Sequence, residues 1–74
     1  ALQLNPNLVD ALAHYAASLG TLGDYNRAIQ YFKKAIKLNP NEATYYKMVG
    51  ITYQNLGKQT EANQYLAKAK QLQR

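Results

Sequence analysis

Apolar residues recur along this chain at three- and four-residue spacing, in blocks separated by short polar breaks. Leu8, Leu12, Tyr15, Ala16, Leu19 and Leu22 share one stripe of a helical projection, and Tyr25, Ala28, Ile29, Phe32, Ala35 and Ile36 share another. A 3.6-residue turn brings such positions to one face, so each block predicts an amphipathic helix with one buried side. Between the two stands Leu22-Gly23-Asp24, a glycine able to take the left-handed conformation that ends a helix, then an aspartate able to cap the next. Pro6 and Pro40 stop the helices before them, because the residue preceding proline disfavours helical geometry, and Asn7 and Asn41 are suitable N-caps for the helices after them. The expected elements are helices over 8–21, 24–38, 42–56 and 59–72, paired as two hairpins, with residues 1–5 ending an earlier helix.

Leu4-Asn5-Pro6-Asn7 returns 34 residues later as Leu38-Asn39-Pro40-Asn41. Sliding residues 1–40 over 35–74 gives 13 identical pairs in 40, among them Gly23/Gly57, Ala28/Ala62, Tyr31/Tyr65 and Ala35/Ala69. Average composition predicts roughly two or three, so the chain is a tandem repeat of one helical hairpin. Its period, turn glycines and paired small residues resemble the tetratricopeptide repeat. The first repeat carries that pattern on Leu12, Tyr15, Ala16, Leu19, Gly23, Tyr25, Ala28, Phe32, Ala35 and Pro40. The second carries it on Tyr46, Val49, Gly50, Tyr53, Gly57, Gln59, Ala62, Leu66, Ala69 and Arg74. The resemblance covers essentially the whole chain and implies an all-α fold, a right-handed α-solenoid of stacked antiparallel helical hairpins. It implies one domain, with 1–8 the end of a preceding repeat, 9–42 the first full repeat and 43–74 the second, C-terminal repeat. Ala16, Gly50, Ala28 and Ala62 are expected where paired helices approach most closely.

Proteins that this chain resembles are non-enzymatic protein–protein interaction modules, whose first helices line a concave groove that receives a peptide or partner helix. Helical spacing puts Asp10, Ala13, His14, Ala17 and Thr21 on that face of the first hairpin, and Thr44, Lys47, Met48, Ile51 and Asn55 on that of the second. Met48 and Ile51 beside small alanines predict a shallow apolar floor, with the methionine supplying adaptable packing. Packing between repeats is the plain alternative for Ile51 and Ala17. Lys47 is a candidate for a ligand carboxylate, or an ordinary solvated lysine. Asp10 and His14, four residues apart, are a candidate pair that would raise the histidine's basicity and make binding pH-sensitive. Some similar proteins grip a C-terminal carboxylate with Lys and Asn from successive first helices. Here Ala13 and Ala17 stand at the corresponding sites of the first repeat, and Met48 stands where the second would place an Asn, so chaperone-tail binding is not expected.

Size and charge narrow the chemistry further. A 74-residue chain buries only about 60–65% of its unfolded surface, which argues against a roomy catalytic cleft. Its four acids, Asp10, Asp24, Glu42 and Glu61, are spread over both hairpins, its single histidine is His14, and it has no cysteine. Ser18 lies one turn from His14 without an oxyanion donor or a third orienting group. No catalytic residues, metal site or cofactor are therefore expected. The net charge of +5 raises an alternative, an RNA or anionic-surface binder. Arg27, Lys33, Lys34, Lys37, Lys68 and Lys70 fall on the polar sides of the second helices, which is the convex face. Tyr25, Tyr46 and Tyr53 fall on core stripes and Tyr31 and Tyr65 flank them, expected to be partly exposed, so no aromatic interleaving suited to base stacking is evident and nucleic acid is the less favoured partner. With no long apolar run and no signal-peptide pattern, no membrane span is expected and the protein is expected to be soluble and cytoplasmic.

The two ends of the repeat array differ. At an offset of 34, Ile29 becomes Asn63 and Ile36 becomes Lys70, so the last helix is expected to be a polar C-terminal cap. Ala1 to Asn5 reads as the last turn of an earlier repeat, which predicts a protein that continues upstream. Val9, Ala11, Ala13 and Ala17 would then present apolar surface. Residues 1–74 alone are accordingly expected to be marginally stable or to self-associate through the first helix, making a homo-oligomeric assembly element a further alternative.

Overall fold

The computed structural model describes residues 6–73 and builds them into four helices: α1 (Pro6–Thr21), α2 (Tyr25–Leu38), α3 (Ala43–Asn55) and α4 (Gln59–Leu72). No strand occurs among the described residues, and the expected helix end over residues 1–5 lies outside them. Helix α1 pairs with α2 and α3 with α4; α3 then packs on α2 and touches α1. The result is an all-α solenoid of two stacked hairpins, with α1 and α3 as the two first helices.

Both hairpins turn by the same device. Gly23 and Gly57 have φ of 89° and 81°, a region closed to side chains with a Cβ except at a cost. The Asp24 amide donates to the Leu19 carbonyl at 2.8 Å and the Gly23 amide to Gly20 at 3.1 Å; Lys58 to Tyr53 at 2.9 Å and Gly57 to Gln54 at 3.0 Å repeat the pattern. These crossed bonds satisfy carbonyls that a helix end leaves orphaned. Capping is less regular than the sequence suggests. Helix α1 already starts at Pro6, which puts Asn7 inside it, and the N-cap of α3 is Glu42, whose carboxylate accepts the Thr44 amide at 3.5 Å, in place of Asn41. Asp24 occupies the N-cap of α2 without a side-chain capping bond and lies 3.6 Å from Arg27 Nε instead. The Tyr46 hydroxyl donates to the Pro40 carbonyl at 2.9 Å, tying the turn between hairpins to α3.

The main core joins the hairpins: Ala16 and Leu19 from α1, Ala28, Ile29 and Phe32 from α2, and Val49 from α3. A second cluster groups Val9, Ala35 and Tyr45. The α2 stripe is buried much as its spacing predicts, but the α1 stripe is rotated. Leu8, Tyr15 and Leu22 are 52%, 48% and 81% exposed, whereas Val9 is 5% exposed. Tyr15 is met only along its edge by Tyr31 of α2, while Val9 is covered by Ala35 and Tyr45. The expected exposure of Val9, Ala13 and Ala17 is corrected in the same way. Val9 is buried, Ala13 and Ala17 are half-buried against the core, and the apolar surface that does remain open is Leu8, Ala11 and Tyr15.

Glycine at position 50 is required by a close approach. A Cβ there would meet Leu66 Cγ at 2.7 Å and the Ala62 carbonyl oxygen at 3.2 Å, closer than side chains pack. Tyrosines knit the outer seams. Tyr15 meets Tyr31 edge-on at 4.7 Å, Tyr65 lies 6.3 Å from Tyr46 and 5.6 Å from Tyr53, and the ammonium groups of Lys34 and Lys33 sit 4.8 and 5.8 Å from the rings of Tyr31 and Tyr53. Such cation–π contacts at exposed sites contribute about 0.5–1 kcal/mol each.

Two of these groups predict an alkaline limit to stability. Burial, with the charges of Asp10 and Glu42 nearby, raises the Tyr45 phenol above its ordinary 10.0, and the Tyr53 hydroxyl, against opposing desolvation, raises Lys33 above its ordinary 10.5. Both hold their proton more tightly folded than unfolded. Their contribution is therefore whole below those ordinary values and is lost as pH rises through the higher folded ones. Urea midpoints are expected to stay level up to about pH 9.5 and to fall above pH 10. The fall should be shallower in Tyr45→Phe; an identical slope in that variant would exclude Tyr45 as its source.

Candidate functional site

The first helices leave a groove between them. From α1 it takes Ala16, Ala17, Gly20 and Thr21, from α3 Met48, Ile51, Thr52 and Asn55, and its floor is Phe32 and Tyr25 of α2, enclosing about 210 Å³. Local sequence explains the shape. Small residues at 16, 17 and 20 recur at helical spacing, so α1 presents a smooth wall, and Met48, Ile51 and Asn55 repeat the spacing on α3. None of the lining residues is charged. Two of its hydroxyls are already engaged: Thr21 donates to the Ala17 carbonyl at 3.1 Å and Thr52 to that of Met48 at 2.7 Å. The arrangement can bury apolar surface and offer a few hydrogen bonds; it brings together no acid, base or nucleophile.

Of the residues expected on this face, Ala17, Thr21, Met48, Ile51 and Asn55 meet in the groove. Ala13 is half-buried against the core beside it. Asp10, His14 and Thr44, nearer the starts of α1 and α3, are exposed and outside its lining. Asp10 and His14 do not pair; the only ion pair among the described residues is Arg27 with Asp24. On an exposed helix surface such a pair gains little, and nothing packs over these two to hold them together. Lys47 lines a different groove, of about 530 Å³, against Asn63, Leu66 and Lys70 of α4. Gly20 and Thr52 are the lining residues that the hydrophobic pattern misses, since neither a glycine nor a threonine marks an apolar stripe. The signal for Gly20 is its place three residues after Ala17, on the same helical face.

The basic residues lie elsewhere. Lys33, Lys34 and Lys37 are exposed on α2 and none lines the groove. Tyr31, Tyr53 and Tyr65 stand among them half-buried, and these rings face one another or a lysine ammonium. Among the described residues no three His, Asp or Glu side chains gather where they could hold a metal, and no helix is long and apolar enough to cross a membrane.

Comparison with known proteins agrees with this architecture. A tetratricopeptide repeat family model matches residues 9–42 and a second matches residues 31–73. Among solved structures the chain is similar to one named MamA MSR-1 C2, with 30% sequence identity and a TM-score of 0.89. That match covers 93% of this chain and 40% of the other, so the chain spans well under two thirds of the length of the structure it resembles. No curated protein matches.

Proposed function

The chain belongs to the tetratricopeptide repeat family, whose members mediate protein–protein interaction, and from that premise we propose a cytoplasmic, non-enzymatic scaffold that holds a peptide or partner helix in the groove between α1 and α3. The observation that carries this reading is an uncharged groove at the junction of the two hairpins. Ile51 is 38% exposed there. Isolated exposed apolar residues need no explanation, but one grouped with Met48, Ala17 and Gly20 over a Phe32 floor marks a surface that gains by being covered. A partner longer than the groove would continue past Ala13 toward Asp10, His14 and Thr44. Lys47, turned toward α4, would be met only by one that extends further still.

Peptides selected on this chain from a random displayed library provide the test. Met48→Glu or Ile51→Glu is expected to weaken them at least about tenfold, because a carboxylate would be desolvated without a partner. Neutralising Lys33, Lys34 and Lys37 together is expected to change affinity less than about threefold, as rim charges do. The reverse pattern, with affinity falling steeply as salt rises, would instead assign binding to the basic face and an anionic partner.

A further inference from the structure

We propose that a second copy of this chain stacks head to tail on the first, its α1 lying in the groove of about 530 Å³ along α4. This concerns a different face from the one assigned to peptides and does not rest on that assignment.

The internal repeat shows what such a groove holds. Five of its lining residues, Lys47, Asn63, Leu66, Ala69 and Lys70, stand 34 positions after Ala13, Ile29, Phe32, Ala35 and Ile36. Those five belong to the surface of the first hairpin on which α3 packs through Tyr45 and Val49. The groove on α4 is therefore the second hairpin's version of a seat that the chain already fills once with a first helix, and a stacked copy continues the α2–α3 interface.

The matching stripe is on α1. Leu8, Ala11, Tyr15, Ser18 and Leu22 alternate three- and four-residue steps, the spacing of a helix-packing seam, and all are exposed. The same positions of α3 are Glu42, Tyr45, Val49, Thr52 and Leu56, every one buried or half-buried. Leu8, Tyr15 and Leu22 thus form a line of large apolar groups that gains by being covered.

Sizes and charges complement each other. Val49 shares a cluster with Ile29 and Phe32. In the stacked pair Tyr15 takes the place of Val49 over Asn63 and Leu66, so the aromatic ring passes from the seat to the helix that sits on it. Tyr45 clusters with Ala35, and Ala13 and Ile36 pack against the two. Ala11 takes its place over Ala69, where the long stems of Lys47 and Lys70 make up the lost volume. Asp10, the one acid of α1, precedes Ala11 and so enters the end of the groove where those two ammonium groups stand. Asn63 and Lys70, polar where the first hairpin has isoleucines, weaken the seat without closing it. Because the two surfaces differ, the contact is heterologous and extends into open chains rather than closed dimers.

Sedimentation velocity between roughly 0.01 and 1 mM is the test, a range suited to a contact below standard interface size. The mean mass of the chain is expected to rise past that of a dimer, with half-association on the order of 0.1 mM. Amide shifts in NMR spectra taken across the same series should move at residues 8–22 and 63–73 together. Asp10→Lys, and separately Lys47→Glu with Lys70→Glu, should each weaken association at least about fivefold, since like charges then meet in the groove. All three positions are exposed, and the variants are expected to match the parent's circular dichroism. Mixed one to one, the two variants should associate as the parent does, because each then offers the other an opposite charge. Met48→Glu, which lies outside the seat, should change association less than about twofold. A mass that stays monomeric to about 1 mM overturns the proposal. Shifts confined to α1, or a Lys47→Glu, Lys70→Glu chain that associates as the parent does, overturn it in favour of α1 packing on α1. Variants that fail to restore each other on mixing overturn the pairing of Asp10 with the groove.

Discussion

Replacing Phe32 with alanine is expected to cost about 3–5 kcal/mol, the usual range for removing a buried aromatic ring. A domain of 74 residues has roughly 4–11 kcal/mol of stability in total, from about 0.05–0.15 kcal/mol per residue. The loss is therefore a large fraction of the total, and it unfolds the variant outright if the parent lies at the low end of that range. Phe32 is 2% exposed and shares one cluster with Ala16 and Leu19 of α1 and Val49 of α3, so its loss opens a cavity against three helices from both hairpins. The internal repeat supplies the control. The equivalent residue of the second hairpin is Leu66, and Phe32→Leu should cost less than about 2 kcal/mol because most of the volume is kept. Urea unfolding followed by circular dichroism measures both. A loss below about 1 kcal/mol for Phe32→Ala would mean that the hairpins do not depend on this ring.

The same substitution at two glycines is expected to move stability in opposite directions. Gly50→Ala places a methyl group 2.7 Å from Leu66 Cγ and 2.8 Å from Leu66 Cδ2, with the Ala62 carbonyl oxygen at 3.2 Å. The leucine can swing aside, but the carbonyl belongs to the α4 backbone, so the helices must separate. Overpacking of this kind costs about 1–3 kcal/mol, from which up to about 1 kcal/mol of gained helix propensity is subtracted. Gly20→Ala receives that gain with only a 3.9 Å contact to Ala28 and should stabilise by about 0.5–1 kcal/mol. Thermal midpoints should then fall by several degrees for Gly50→Ala and rise by several for Gly20→Ala, at about 4–8 °C per kcal/mol for a domain of this size. Shifts of the same sign would contradict the packing described at one of the two sites. Adding Leu66→Ala to Gly50→Ala should not recover the separation cost, since the Ala62 carbonyl stays where it is.

Gly20 also shows how far the groove was legible in advance. Ala17, Met48, Ile51 and Asn55 could be placed on one face because helical spacing is a local property, and the structure brings them into one groove. Lys47 has the same spacing yet turns toward α4. A helix offers a continuous circumference, and adjacent positions on it are assigned to different clefts by where the neighbouring helices lie. Gly20 carries no side chain, so no hydrophobic pattern could include it.

What the sequence determined by itself is what depends on neighbours in the chain. The four helices, the 34-residue hairpin repeat and the turns at Gly23 and Gly57 follow from three- and four-residue spacing and from the one residue that enters positive φ without strain. Only the tertiary structure decided which apolar side of α1 is inside. Leu8, Tyr15 and Leu22 compete with Val9, Ala16 and Leu19 on overlapping arcs of one helix, and composition ranks the first set at least as highly. The second set is buried because α2 and α3 cover that arc, through Ile29, Phe32, Ala35 and Tyr45. Tyr45 and Tyr46 divide in the same manner: Tyr45 is 8% exposed against Val9 and Ala35, while Tyr46 is half-buried with its hydroxyl on Pro40. Periodicity places side chains around a helix axis, but burial depends on the direction from which another helix arrives, and that direction is set by residues distant in the chain.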